Sequence, residues 1–200
     1  MNAQADAAYF DALYADADPF GYRDRWYEQR KRALLLASLP APRYARGWEI
    51  GCSNGETTAA LAGRCDALLS TDLSARAVAL ARARVSDMPH VTVEQAGHPA
   101  QWPEGRFDLI VFSEVGYYLA PAALLDMARR LPEALGDAGV LVACHWRAAF
   151  DEAAQTGDAV HEVLDALPAL SRVYRYRDAD FVLEAWSRQR ASVAQQSGLR

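Results

Sequence analysis

Glu49-Ile50-Gly51-Cys52-Ser53-Asn54-Gly55 decides the fold reading of this 200-residue chain. Residues 48–50 read as a short buried strand, residues 51–55 as a turn of small side chains, and residues 57–64 as a helical pattern. Small residues between a buried strand and a helix let a ligand approach the backbone, and the helix N-terminus offers it free N–H groups. This is the geometry of a nucleotide site.

Outward from the turn, short apolar runs alternate with helical patterns. Residues 67–71, 90–94, 107–112 and 140–143 read as further strands, and Ser74 as the N-cap of a helix through Val85. Pro121 opens another helix, residues 136–139 turn the chain, and residues 159–167 make a later helix. Residues 173–176 and 181–186 flank the turn 177–180 as two antiparallel strands. This order of elements means α/β. Residues 1–40 are helical and aromatic, broken at Asp18-Pro19-Phe20-Gly21, with a helix over 22–39 stopped by Pro40 and Pro42. The expected organisation is a helical N-terminal lid (1–40), a main α/β domain (41–190) and a flexible tail (191–200).

Composition narrows the class. A hydrophobic share of 52% with 24% charged residues supports a sizeable core and excludes a disordered chain. The net charge of −5 argues against a nucleic-acid backbone as partner, which calls for a basic stripe. No run approaches the ~20 apolar residues that span a bilayer, and MNAQADAAYF lacks the pattern of a secretory signal, so a cytoplasmic location is expected. Cys52, Cys65 and Cys144 are odd in number and lack ligand spacing, so they read as free thiols with no metal expected. Nothing in the sequence sets the oligomeric state.

The dinucleotide fingerprint requires a third glycine three positions after the second, but position 56 is Glu, which would meet a pyrophosphate with an anion. A dehydrogenase is therefore a distant alternative. Read as acid-x-Gly-x-small-x-Gly, the run instead resembles motif I of class I S-adenosylmethionine-dependent methyltransferases, with Ser53 at the usual middle glycine. Their cofactor carries no phosphate but a positive sulfur, with which an acid at Glu49 is compatible. Asp72, about twenty residues on at a strand end, is placed to accept the hydroxyls of a ribose. A plain βα turn and a helix-capping acid are the bland alternatives for these two features. In Gln95-Ala96-Gly97-His98-Pro99 the acid usual for this class is replaced by Gly97, which leaves backbone groups and His98 for the adenine.

The strand 107–112 delivers Ser113 and Glu114 to its C-terminal end, where ligands of open α/β sheets bind. Ser113-Glu114-Val115-Gly116-Tyr117-Tyr118-Leu119 resembles the corresponding segment of the NodS-like methyltransferases, which include enzymes that N-methylate a free sugar amine. Asp18-Pro19-Phe20, Trp26-Tyr27-Glu28 with Lys31, Cys144-His145-Trp146-Arg147 and Gly157-Asp158-Ala159-Val160-His161 agree with that family, and the likeness covers roughly 18–186. The resemblance implies a Rossmann-like, mostly parallel seven-stranded sheet with an antiparallel strand and helices on both faces. It implies S-adenosyl-L-methionine held by Phe20, Lys31, Glu49, Gly51, Cys52, Ser53, Gly55, Asp72, Leu73, Gly97, His98 and Ser113. Phe20 stands where the family commonly has Trp, and Lys31 where a base pairs with the cofactor carboxylate.

Methyl transfer to an amine is mostly positioning, with the acceptor's proton taken by a carboxylate or imidazole within reach. Glu114 and His145, at the ends of two strands, are the candidates, and each has an alternative as an orienting or packing residue. Tyr117, Tyr118 and Trp146 are candidates to stack on a small-molecule acceptor or to belong to the core. The expected function is N-methylation of an amino sugar or related amine. An O- or N-methyltransferase of another natural product, or a noncatalytic binder of the cofactor, are the alternatives.

Overall fold

The computed structural model describes residues 6–199. Helix α1 (Ala7–Leu13) is capped by Asp6, whose carboxylate accepts from the Tyr9 N–H. The Asp18 carboxylate then accepts from the N–H groups of Tyr22 and Arg23 at 2.7 and 3.0 Å. This turn delays helix α2 to Trp26–Ser38, four residues later than the apolar pattern begins. The alternation follows as β1 (Tyr44–Ile50), α3 (Glu56–Ala62), β2 (Cys65–Asp72), α4 (Ala75–Arg84) and β3 (Val91–Gln95). The second half holds β4 (Phe107–Ser113), a 3-10 turn (Gly116–Tyr118), α5 (Pro121–Ala134), β5 (Leu135–Trp146), α6 (Gly157–Asp165), β6 (Ser171–Arg177), β7 (Phe181–Ser187) and α7 (Val193–Gln196).

The seven strands form one sheet in the order β3-β2-β1-β4-β5-β7-β6, with β7 antiparallel to both neighbours and the rest parallel. The chain reverses its direction of strand addition between β1 and β4, so a crevice opens at their C-terminal ends. Side chains of β4 alternate between two cores, as the pleat requires. Ile110 and Phe112 join Leu124, Met127 and Leu131 of α5 on one face. Leu109 and Val111 join Leu35 of α2 and Leu61 of α3 on the other. Burial of both faces explains why β4 reads as one continuous apolar run. Each such fully buried side chain stabilises the fold by about 1.5–3 kcal/mol.

Two expectations from the sequence need correction. Residues 136–139, read as a turn, lie within β5: Leu135 already pairs with Phe107, and the extra residues bulge out before Val140 pairs with Leu109. The tail, read as unstructured, contains α7, where Ser192 and Gln195 form a reciprocal capping box. Ser74 caps α4 as expected, accepting from the Ala77 N–H at 3.1 Å.

Candidate active site

The loops after β1, β2, β3 and β4 surround a cavity of about 470 Å3 that the N-terminal segment covers. Gly51 begins the first loop at φ +81°, and a β-carbon there would lie 2.2 Å from Val115 Cγ2. Only glycine fits both the backbone and the space. Ser53, at φ 53°, also takes the left-handed conformation, at a cost of order 1–3 kcal/mol. Two bonds hold it there: its N–H donates to Asp72 Oδ2 at 2.8 Å, and its hydroxyl accepts from Tyr14 OH at 2.6 Å. The serine that replaces the expected glycine thus fastens the N-terminal segment to the loop.

Asp72 ends β2 in the cavity wall, its other oxygen accepting from the Ser74 N–H at 2.9 Å. Burial raises its pKa, opposed by the backbone N–H groups of Ser74, Ser53 and Leu73. Phe20, Leu73, Gly97, His98 and Ser113 line the same cavity. His98 is bonded at both ring nitrogens, to Thr71 Oγ1 at 2.9 Å and to the Gln101 carbonyl at 2.6 Å, and burial lowers its pKa. It is a fixed, neutral wall. Among the described residues the cavity lining contains Asp6, Asp72 and Glu114 but no Lys or Arg, which suits a cationic ligand and would leave a pyrophosphate without a counter-charge.

The other expected cofactor residues sit elsewhere. Gly55, at φ +84°, begins α3, and its missing side chain lets α3 approach α4, since a β-carbon would lie 2.8 Å from Ala81 Cα. Cys52 packs against Val78 and Ala81. Glu49 and Lys31 line a small recess that shares Gly51, Ser53, Ser113 and Glu114 with the main cavity. Burial pushes the Glu49 carboxyl up to about 7, although it accepts hydrogen bonds from Thr58 and from Ser70. Asn54 Oδ1, buried in the recess lining, has no hydrogen-bond partner among the described residues.

Glu114 lines the main cavity, the recess and a third cavity of about 520 Å3. It follows β4 at φ 58°. Lys31 Nζ donates to its Oε1 at 2.9 Å, while Tyr117 OH and the Trp146 N–H, at 3.2 Å, donate to Oε2. A carboxylate offers about four acceptor positions, so roughly one remains for a ligand. Lys31 is also bonded to Glu28 at 3.0 Å. Burial opposes its charge, yet Glu114 and Glu28 outweigh burial and raise its pKa.

Tyr117, Tyr118 and Trp146 all line the third cavity, where Trp146 stacks on Phe150 at 5.9 Å. Glu152 and Asp180 add carboxylates to its wall. His145 lines neither large cavity. It is fully buried, with Nε2 accepting from the Gly116 N–H and Nδ1 bonded to His161, so it does not reach a reacting group. Sequence reading missed Tyr14, Asn54, Phe150 and Glu152 as site residues. Their signal was absent because loop residues far apart in the chain have no periodicity to betray a shared wall.

Comparison with known proteins agrees with this geometry. The family described as Nodulation protein S (NodS) matches residues 9–147. Nodulation protein S of Rhizobium tropici is 34% identical over 117 residues, which are 58% of this chain and 49% of that protein. The chain thus spans about half the length of that curated relative. A Pseudomonas syringae protein of known structure, assigned as a methyltransferase, is 48% identical with TM-score 0.74, covering 82% of this chain and 100% of that one. The N-methyltransferase NodS of Bradyrhizobium japonicum WM9, crystallised with S-adenosyl-L-homocysteine, is 27% identical with TM-score 0.82, covering 90% and 96%. The seven-stranded sheet is therefore that of the class I methyltransferases, and the chain belongs to the NodS family.

Proposed function

We propose that this protein is an S-adenosylmethionine-dependent methyltransferase that N-methylates a small-molecule amine, an amino sugar or a related compound. The observation that carries this reading is the position of Glu114, where the cation-suited cavity meets the aromatic, acidic one. When bound, S-adenosylmethionine supplies a methyl group on a positively charged sulfur, open to attack by an uncharged amine.

The residues present fit that cofactor. Asp72 retains acceptor capacity for ribose hydroxyls beside its backbone bonds. The orphaned Asn54 Oδ1 and the acids of the recess suit the ammonium of the cofactor's amino acid end. Among the described residues Lys31 is the lone basic side chain reaching Glu114, and it is clasped by two carboxylates, so it serves to hold the Glu114 side chain in place rather than to pair with the cofactor carboxylate. Glu114 in turn accepts a hydrogen bond from the acceptor amine and takes its proton. Trp146, Phe150 and Tyr118 offer flat apolar faces to a sugar ring, with Glu152 and Asp180 facing the polar groups.

The segment 1–40 acts as a lid in this reading. Within it Phe10, Tyr14, Phe20 and Tyr22 wall the cavity and exclude water from the transfer. Calorimetry with S-adenosylmethionine, followed by methyl-release assays on a panel of amino sugars, other amines and alcohols, tests the proposal. Binding with turnover on an amine supports it. Turnover confined to hydroxyl acceptors, or binding without turnover on the panel, counts against it.

A further inference from the structure

His145 and His161 line none of the three cavities, yet the structure joins them into one buried chain of hydrogen bonds. The Gly116 N–H donates to His145 Nε2 at 3.0 Å. His145 Nδ1 lies 3.1 Å from His161 Nε2, and His161 Nδ1 lies 2.6 Å from Glu184 Oε2. The second carboxylate oxygen of Glu184 accepts from Arg175 Nε, on a side chain 43% exposed on β6. His145, His161 and Glu184 are each at most 2% exposed.

This arrangement admits one assignment of protons. A backbone N–H can only donate, so His145 Nε2 is unprotonated. A neutral His145 then holds its proton on Nδ1 and donates to His161 Nε2. His161 must hold its own proton on Nδ1 and donate to Glu184. The whole chain points one way, from Gly116 to the carboxylate. Burial, His161 and Lys31 disfavour a charged His145 and leave the neutral ring that this direction needs.

Gly116 opens the 3-10 turn two residues after Glu114, and Tyr117 in that turn donates to the Glu114 carboxylate. A β-carbon at Gly116 would lie 2.5 Å from Val160 Cγ1 and 2.9 Å from His145 Nε2, so the turn is seated directly on the histidine. Glu114 itself holds a left-handed backbone that needs support from its surroundings. We propose that His161 and Glu184 are positioning residues which, by fixing the tautomer of His145, lock the Gly116 N–H and thereby the placement of Glu114 and Tyr117 at the reacting groups. The proposal rests on the methyltransferase reading for its effect on turnover, but not for the proton arrangement itself.

Glu184→Gln is the discriminating variant. A carboxylate accepts at both oxygens, whereas an amide accepts at one and donates at the other. With Arg175 claiming the acceptor oxygen, the amide NH2 faces His161, reverses both histidine tautomers and sets a proton on His145 Nε2 against the Gly116 N–H. Arg175→Met added to Glu184→Gln frees the amide to turn its oxygen to His161, since the remaining guanidinium there, Arg172, lies 3.5 Å from Glu184 Oε1 and donates instead to Asp165 at 2.8 Å. The measurements are long-range proton–nitrogen correlation of the histidine rings, the Gly116 amide shift, and kcat with the accepted amine.

In the unmodified protein both histidines should carry the proton on Nδ1. A proton on His145 Nε2 there would overturn the proposal whatever the activity. Glu184→Gln should reverse the tautomers and lower kcat by about tenfold to a hundredfold, as small misplacements of catalytic groups do. The double variant should restore both. An unchanged kcat in Glu184→Gln, or a loss that follows reduced thermal stability and is not rescued by Arg175→Met, would overturn the proposal. Failure of the unmodified protein to methylate any amine would overturn the function reading, while the tautomers and the Gly116 shift would still decide the relay.

Discussion

Lys31 Nζ lies 2.9 Å from Glu114 Oε1, across a buried contact between helix α2 and the end of β4. Lys31 is the only lysine of the chain, and its second partner is Glu28, 3.0 Å away. One cation therefore neutralises part of a buried pair of carboxylates and ties the N-terminal segment to the candidate base. Removing one partner from such a cluster leaves charge buried without compensation.

Lys31→Met is therefore expected to lower stability by about 3–5 kcal/mol, read as a lower midpoint in urea unfolding. Combining it with Glu28→Gln should recover part of that loss. An unchanged midpoint for Lys31→Met would mean that solvent compensates the two acids and that the cluster contributes nothing to folding.

Glu114→Gln should lower kcat by about a hundredfold, the scale of a removed general base, and leave cofactor affinity within a few-fold. Steady-state kinetics paired with calorimetry separates the two quantities. A fall in affinity with kcat intact would make Glu114 a cofactor ligand instead.

Asp72→Asn should weaken cofactor binding by about tenfold to a hundredfold, since it removes charge-assisted bonds to hydroxyls. The amide keeps the size of the side chain but must turn an NH2 toward either the Ser53 or the Ser74 N–H. Equal affinity in calorimetry would show that the carboxylate only caps the turn.

Glu49 gives stability a pH dependence of definite sign. Its folded pKa of about 7 lies above the ordinary 4.5, so the folded state binds more protons between those values. The contribution is fully present below pH 4.5 and is lost as pH rises through 7, by on the order of 3 kcal/mol. Glu49→Gln should remove that loss, so its advantage in urea unfolding without cofactor should grow from pH 5 to pH 8. His145 acts in the opposite sense. Burial holds its pKa well below 6.5, so stability present above 6.5 is lost as pH falls.

The proposed lid has a kinetic consequence. Tyr14→Phe breaks the bond to the Ser53 hydroxyl and should increase tryptic cleavage at Arg23 and Arg25, with cofactor restoring protection. Cleavage rates that do not respond to cofactor in either protein would identify residues 1–40 as an ordinary packing segment.

The α/β order, the glycine-bracketed turn after β1 and the acid at the end of β2 can be read from the chain alone. These are local matters: a buried strand must be apolar, a left-handed turn needs Gly51, and a strand-end acid lies at a fixed step from its strand. The tertiary structure decided which side chains share a space. Lys31 and Glu28 meet Glu114, and Tyr14 meets Ser53, only because α1 and α2 pack over the crevice. It also withdrew His145 from the reacting groups, because the ring on β5 faces α6 and His161 rather than the cavity. Hydrogen-bond partners tens of residues apart obey no period in the chain, so electrostatic pairing and proton direction became fixed only when the sheet brought those elements within 3 Å of one another.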